Sequence, residues 1–283
     1  MTAAVETPTR PSLPDGQGLV RRPRRSALYS GNARAVFHRG MKSQWQGNLG
    51  VMLSGFLEPV LYLLAMGLGL GGMIGELNDP SGNPVSYAAY IAPALLATSA
   101  MNGAIFDSTW NVFFKLRISK LYQGMLNTSL GPMDIALGEI GVALVRGGIY
   151  ASGFTLVMLM LGLISSWWAV LAVPACLLVA FGFAALGMAA TSFLKTFQQM
   201  DWLTLVLTPM FLFSGTFYPI EVYPEPAQWA VMGLPLWHAV ELLRHLAAGT
   251  VGVTTLGHAS YFVALALVGT WAASARLKAL FLR

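Results

Sequence analysis

Six long apolar stretches, separated by short polar segments, dominate the pattern of the chain. Each is near or above the ~20 residues that a helix needs to cross the hydrocarbon core of a bilayer. The pattern therefore predicts an all-α polytopic membrane protein with six transmembrane helices. The predicted spans are residues 49–74, 87–114, 135–163, 169–194, 202–218 and 256–275.

The segment between the fifth and sixth predicted spans, residues 219–252, is apolar but contains four prolines. Proline interrupts the hydrogen-bond ladder of a helix, so this segment is too broken for a clean span. It predicts short re-entrant helices that enter the membrane part-way and are protected there by neighbouring protein.

The beginning of the chain divides into a tail and a helix. Residues 1–27 are rich in proline and arginine, which predicts a disordered basic tail on the cytoplasmic side. Residues 28–47 predict an amphipathic helix along a membrane face, with a simple basic flank as the alternative. Its apolar stripe consists of Val36, Phe37, Met41 and Trp45. Residues 28–283 then form the predicted transmembrane domain.

Composition narrows the class of protein further. Hydrophobic residues make up 55% of the chain and charged residues 10%, whereas a soluble domain carries about 25% charged residues. So few charges exclude a soluble enzyme, a nucleic-acid-binding domain and a disordered scaffold. Fifteen of the 17 basic residues fall on one side of the predicted spans. The positive-inside rule therefore predicts a plasma (inner) membrane protein with both termini in the cytoplasm.

Four ionisable residues lie within the predicted spans. Glu58, Asp107 and Arg146 each lie eight to ten residues from the cytoplasmic end of a helix, which is roughly 12–15 Å deep. Similar depth predicts that Arg146 pairs with Glu58 or Asp107, and Glu139, seven residues earlier, is a second candidate partner. The charges either clamp helices together or line a transport path, and the sequence leaves both open.

A short apolar stripe follows the second predicted span. Ile118, Leu121, Tyr122 and Met125 have i, i+3, i+4, i+7 spacing, which predicts a short amphipathic helix on the cytoplasmic side. Such a helix suits docking into the groove of a partner protein, or it lies on lipid.

Motifs for catalysis or metal binding are weak. His238, Glu241 and His245 share one helical face, but no fourth ligand is evident, so a polar face is favoured over a metal site. The sequence contains no G-x-x-x-x-G-K-[ST] motif for ATP. We therefore assign no catalytic residue, metal or cofactor to this chain.

Several segments resemble the membrane subunits of type-2 ABC exporters, most closely the nodulation-factor, or lipooligosaccharide, exporter branch. They are residues 56–64 (FLEPVLYLL), 122–130 (YQGMLNTSL), 134–139 (DIALGE), 211–219 (FLFSGTFYP) and 234–244 (LPLWHAVELLR). Their order, together with six spans and a broken outer loop, is more specific than any one motif. The resemblance covers about residues 44–283.

The resemblance implies a half-transporter rather than an enzyme. Two copies of the permease would form the pore among membrane lipids, and two separate ABC ATPase subunits would bind ATP and Mg²⁺. Residues 116–126 would form the coupling helix, residues 33–46 the interfacial helix and residues 218–245 an outer gate. Aromatic side chains of the outer half would line that gate or stack on sugar rings, unless they form an interface belt. They include Phe211, Phe213, Phe217, Tyr218 and Trp237.

The cargo is less well defined than the class. The branch implies an amphiphilic glycoconjugate or lipid-linked substrate moved out of the cytoplasm or inner leaflet, and related permeases export drugs or antibiotics. A secondary transporter without an ATPase is the other reading. It would use Glu58, Asp107 and Arg146 as an ion relay.

Overall fold

The computed structural model describes residues 29–45, 49–164 and 166–281. The tail predicted at residues 1–27 lies outside these ranges. The described chain is mostly helical. In chain order its α-helices are α1 Ala33–Trp45, α2 Leu49–Gly69, α3 Gly71–Ile74, α4 Tyr87–Phe106, α5 Leu121–Leu126, α6 Pro132–Met160, α7 Ala172–Phe193, α8 Asp201–Phe213, α9 Glu225–Met232, α10 Pro235–Ala248 and α11 Val253–Phe281.

Shorter elements connect these helices. Strands β1 Glu76–Asn78 and β2 Pro84–Ser86 form an antiparallel hairpin between α3 and α4. Two π-helical stretches, Asp107–Asn111 and Phe114–Ile118, continue α4. Single 3₁₀ turns cover Trp167–Leu171, Phe197–Met200 and Ile220–Val222.

Four helical stretches within the described residues are long and apolar enough to cross a membrane. They are Tyr87–Ile118, Pro132–Met160, Trp167–Phe193 and Val253–Phe281, and they coincide with four of the six predicted spans. The second predicted span was expected to end at residue 114, but its helix continues to Ile118 through the π-helical turns. The chain is therefore an all-α membrane protein, and the count of six spans stays a prediction.

The fifth predicted span is shorter than the sequence suggested. Helix α8 has 13 residues, which corresponds to about 20 Å of helix against a hydrocarbon core of about 30 Å. The predicted extension to residue 218 is wrong, because residues 214–218 form bends. Helices α9 and α10 then follow where short proline-bounded helices were predicted, and both have a proline in their first turn.

Small residues let the central helices approach closely. Helix α7 packs against α4, α6 and α11. At Gly182 a Cβ atom would come within 2.7 Å of the Phe262 ring, and at Gly269 within 2.8 Å of Ala185 Cβ. Close backbone approach through glycine and alanine is typical of helix packing in membranes. Glycine at these two positions therefore fixes how closely α7 and α11 lie together.

Helix α1 lies along α6 and is attached at its beginning by one carboxylate. Asp134, fully buried near the start of α6, accepts hydrogen bonds from the backbone N–H groups of Ser30 (2.9 Å), Asn32 (3.0 Å) and Gly131 (2.8 Å). Val36 of α1 then packs over Gly138, whose missing side chain leaves the space. Helix α1 is where the sequence predicts a helix, and its contact with a membrane face stays a prediction.

Candidate functional site

A buried ion pair joins the end of α4 to α6. Arg146 Nη1 lies 3.0 Å from Asp107 Oδ1, and the side-chain amide of Asn111 donates to the same oxygen at 2.7 Å. Both charged residues are less than a tenth exposed. The sequence predicted Glu58 or Asp107 as the partner of Arg146, because all three lie at a similar depth. In the structure the partner is Asp107.

Glu139 has a different partner from the one proposed. Its carboxylate pairs with Lys115 Nζ at 2.5 Å, and the described residues include no ion pair between Glu139 and Arg146. Arg146 as the partner of Glu139 is therefore wrong, because helical spacing identifies a shared face of α6 but not the neighbouring element that contacts it. Lys115 comes from the second π-helical stretch.

Two adjoining cavities, named here the polar groove, lie between α2, α4, α6 and α8. The first has a volume of about 390 Å³ and is lined by residues that include Glu58, Ser99, Asn102, Trp110, Arg146 and Tyr150. The second, of about 340 Å³, shares Glu58 and Asn102 and adds Tyr62, Thr98, Thr204, Thr208 and Phe211. Hydroxyl, amide and carboxylate groups in such apolar helices can hydrogen-bond a polar group that would otherwise be costly to bring into the membrane.

Glu58 differs from the other intramembrane charges. It is exposed on α2 and lines both cavities of the polar groove. No lysine, arginine or histidine nitrogen of the part of the chain that the structure describes lies within 4.0 Å of its carboxylate. Asp107 and Arg146 compensate each other, so Glu58 is the acid that the groove presents to a bound molecule.

The four residues of the apolar stripe in the predicted coupling helix differ in burial. Tyr122 has no exposed surface and Met125 is buried, whereas Leu121 is half-buried and Ile118 is 58% exposed. Helix α5 therefore turns its stripe towards the rest of the chain. Ile118 ends the preceding π-helical stretch and is separated from α5 by Lys120, whose φ of 51° is left-handed.

The Tyr122 hydroxyl is close to the Glu139 carboxylate. Burial raises the pKa of Tyr122 well above its usual value, and the nearby charge of Glu139 raises the pKa further. Tyr122 thus stays protonated beside this carboxylate. One carboxylate on α6 consequently lies beside both α5 and the end of the second span.

The aromatic residues proposed as an outer gate form separate contacts. Residues 214–248, from the end of α8 to the end of α10, are named here the outer segment after their predicted side of the membrane. Phe211 packs edge-on against Phe217, with ring centroids 5.1 Å apart. Phe213 and Tyr218 both approach Tyr223, and the Tyr223 hydroxyl donates to that of Tyr218 at 2.9 Å. Trp237 instead contacts His238 and His258. The structure therefore brings Phe211 to the polar groove and places Trp237 at the contact between α10 and α11.

The outer segment is held in place by Arg244, the last residue of the motif at residues 234–244, to which the sequence pattern assigned no structural role. Arg244 of α10 is buried and donates to the Gly215 carbonyl oxygen at 2.5 Å and to Glu241 at 3.0 Å. Its guanidinium also lies 4.0 Å from the centre of the Tyr90 ring. Arg244 is the one basic residue on the predicted outer side of the spans. That isolated position was the sequence signal that could have pointed to a structural role.

The three residues considered for a metal face separate partners. His238 Nδ1 lies 2.8 Å from His258 Nδ1, His245 Nδ1 lies 2.7 Å from Thr250 Oγ1, and Glu241 pairs with Arg244. Within residues 29–45, 49–164 and 166–281, no group of three or more potential ligands has a geometry that fits a metal ion.

Comparison with known proteins identifies similar chains. Residues 32–247 match the family described as ABC-2 type transporter. Nodulation protein J of Rhizobium leguminosarum bv. viciae is 33% identical over 212 residues, covering 74% of this chain and 80% of that protein. Nodulation protein J of R. leguminosarum bv. trifolii is 31% identical over 88% of this chain and 94% of its own length. The inner membrane transport permease YadH of Escherichia coli is 26% identical over 59% of this chain and 64% of its length.

Proposed function

The chain belongs to the ABC-2 type transporter family, and from this we propose that it is the transmembrane permease subunit of an ATP-driven exporter. Because the sequence has no G-x-x-x-x-G-K-[ST] motif, ATP and Mg²⁺ would bind to two copies of a separate ABC ATPase. Two copies of the permease would form the pore. Membership in an ABC family disfavours a secondary transporter that works without an ATPase.

The polar groove is the observation that supports a transport path in this chain. It carries hydroxyl and amide side chains beside the aromatic rings of Tyr62, Trp110 and Tyr150. Aromatic faces stack on sugar rings, and hydroxyl and amide groups hydrogen-bond their substituents. An amphiphilic glycoconjugate or lipid-linked substrate fits this lining better than a purely hydrophobic drug, which is the alternative cargo.

Glu58 allows the cargo to be tested without disturbing the fold, because its side chain is exposed. We expect an alkylated oligosaccharide to stimulate ATP hydrolysis by the permease–ATPase complex in nanodiscs, and Glu58→Gln to reduce that stimulation several-fold. A hydrophobic dye without a sugar serves as the second probe, and Glu76→Gln, an exposed acid of β1, as the control variant. Equal stimulation by the dye, unchanged in Glu58→Gln, would favour the drug-efflux alternative.

Docking of the ATPase is assigned to the exposed face beside α5, which consists of Ile118 and Gln123. Burying one isoleucine contributes about 1.5–3 kcal/mol, so Ile118→Asp should weaken ATPase association at least about tenfold. The measurement is co-purification of the ATPase with tagged full-length permease. Val222→Asp, an equally exposed apolar residue of the outer segment, should leave co-purification unchanged. If the ATPase binds Ile118→Asp as well as the wild type, this docking face is wrong.

The proposed topology places both termini and α5 in the cytoplasm and the β1–β2 hairpin outside, in the inner membrane. The single cysteine, Cys176, is buried, so a Cys176→Ala background is suited to labelling. We expect Ser81→Cys, exposed in the hairpin turn, to react with an impermeant maleimide applied to whole cells or spheroplasts. Gln123→Cys, exposed on α5, should react only after the membrane is opened. The opposite pattern would invert the topology.

A further inference from the structure

The helix that leads from the polar groove to α5 is not an ordinary α-helix. Residues 107–118 are named here the π segment. Ten of these residues have π-helical hydrogen bonds, in two successive stretches. Such bonds are rare and usually confined to a single turn, often at functional sites. Each π turn accommodates one residue more than an α-turn. Converting one of them to α would therefore rotate all following side chains by about 100° around the helix axis.

Two ion pairs of opposite polarity hold the π segment against α6. At one end Asp107 pairs with Arg146, and at the other Lys115 pairs with Glu139. The acid lies on the π segment in the first pair and on α6 in the second. Sliding the π segment along α6 in either direction would bring like charges together, Lys115 towards Arg146 or Asp107 towards Glu139. The two pairs together therefore favour a single register.

Helix α7 and the residue after it contact the π segment near both of its ends. The Thr191 hydroxyl donates to the Gly187 carbonyl oxygen of its own helix at 2.8 Å and lies 3.3 Å from the Ser108 carbonyl oxygen of the π segment. Near the other end, Arg117 Nε donates to the Leu194 carbonyl oxygen at 3.0 Å, just beyond α7. These contacts hold the π segment against α7, and an α-helical form of the same residues would be a discrete alternative to it.

The two ends of the π segment meet the two sites of the proposed exporter. At the first end Arg146 and Trp110 line the polar groove. At the second end, α5 packs against the stretch Phe114–Ile118 that carries Lys115. The Glu139 carboxylate, the partner of Lys115, is near enough to Tyr122 of α5 to raise its pKa, and Ile118 is exposed for docking. A displacement of α5 therefore acts directly on the Lys115–Glu139 pair, and through the π segment on the Asp107–Arg146 pair.

We propose that the π segment is a two-state link that transmits movement of α5 to the polar groove, with Lys115 and Glu139 as positioning residues that set its register. The proposal rests on the proposed function, because it requires an ATPase that moves α5. When α5 shifts, the Lys115–Glu139 pair yields, a π turn converts, and Asp107 repositions Arg146 in the groove. The two states differ only in helical register. Elements with two discrete arrangements of this kind carry energetic coupling between distant sites.

The test follows the groove while the ATPase is cycled. Phe106→Cys, exposed at the edge of the groove, is introduced into the Cys176→Ala permease, which is reconstituted with its ATPase in nanodiscs. Maleimide labelling rates are compared without nucleotide and after trapping with ATP and vanadate. We expect at least about a threefold difference with the native pairs. The difference should be lost in Lys115→Glu and in Glu139→Lys, while Lys42→Glu on the exposed side of α1 leaves it unchanged. The double reversal restores an ion pair but gives both pairs the same polarity, so it should recover assembly without recovering the difference.

The outcomes separate this inference from the function on which it rests. If no ATPase co-purifies with the wild type, the proposed function fails and the inference with it. If the ATPase binds but the labelling difference persists in an assembled single reversal, the π segment is not the link. Lys115→Gln and Glu139→Gln replace any reversal that does not assemble. A double reversal that recovers the full difference would also overturn the proposal, since it would show that the opposite polarity of the two pairs does not set the register.

Discussion

Replacing Arg146 by alanine is expected to prevent the permease from accumulating as a folded membrane protein. The substitution removes the positive charge that compensates the buried Asp107 carboxylate. Breaking a buried ion pair from one side costs about 3–5 kcal/mol in soluble proteins, and a folded domain is stable by only about 5–15 kcal/mol. We therefore expect a large fall in the yield of monodisperse protein and a lower Tm in detergent.

The matched variants for this result are available within the chain. The double variant Arg146→Met/Asp107→Asn removes both charges and should recover most of the lost stability, because no uncompensated charge then stays buried. Arg34→Ala removes an exposed arginine of α1 and should leave the Tm within a degree or two of the wild type. A normal yield and Tm for Arg146→Ala would show that the pair does not hold α4 to α6.

Replacing Tyr122 by alanine is expected to unfold the region around α5 instead of merely releasing the ATPase. The Tyr122 ring has no exposed surface, and truncating a buried aromatic side chain typically costs about 3–5 kcal/mol. Tyr122→Phe keeps the ring and removes only a buried hydroxyl that makes no hydrogen bond among the described residues, so its cost should be well below that of Tyr122→Ala.

Thermal unfolding of the permease purified without its ATPase distinguishes the two roles of Tyr122. A lower Tm for Tyr122→Ala in the isolated permease indicates a packing role. An unchanged Tm together with lost ATPase binding would instead identify Tyr122 as a docking anchor, the role that the sequence pattern suggested. Gln123→Ala, on the exposed face of the same helix, is the control for general effects on α5.

The helices that the sequence predicts well are those with long, uniformly apolar runs. Helices α6, α7 and α11 follow directly from run length, because a long apolar segment with so few charges must lie in lipid or in the core. The pairing of Arg146 with one of two acids followed from similar depth, since an isolated charge at that depth is costly. Helix α8 was overestimated because the apolar run at residues 202–218 continues through backbone that bends.

The parts that the sequence did not predict depend on which neighbour faces a residue. The stripe containing Tyr122 has the correct helical period, but periodicity does not show whether the covering surface is another protein, lipid or the same chain. Lys115 entered only as a charge near a loop, although it is the partner of Glu139. The π segment leaves no trace in an apolar pattern, because its extra residue per turn changes hydrogen bonds and not hydropathy.

The carboxylate of Asp134 has a consequence for biosynthesis. It fastens Asn32, which lies 102 residues earlier in the chain, so the contact cannot form until the ribosome has made the start of α6. At a translation rate of about 5–20 residues per second, α1 waits roughly 5–20 s after its own synthesis. During that interval its apolar side, including Val36, has no α6 to cover it and is open to chaperones or to the membrane surface. Docking of α1 is therefore a late event that reports on successful insertion of the span formed by α6.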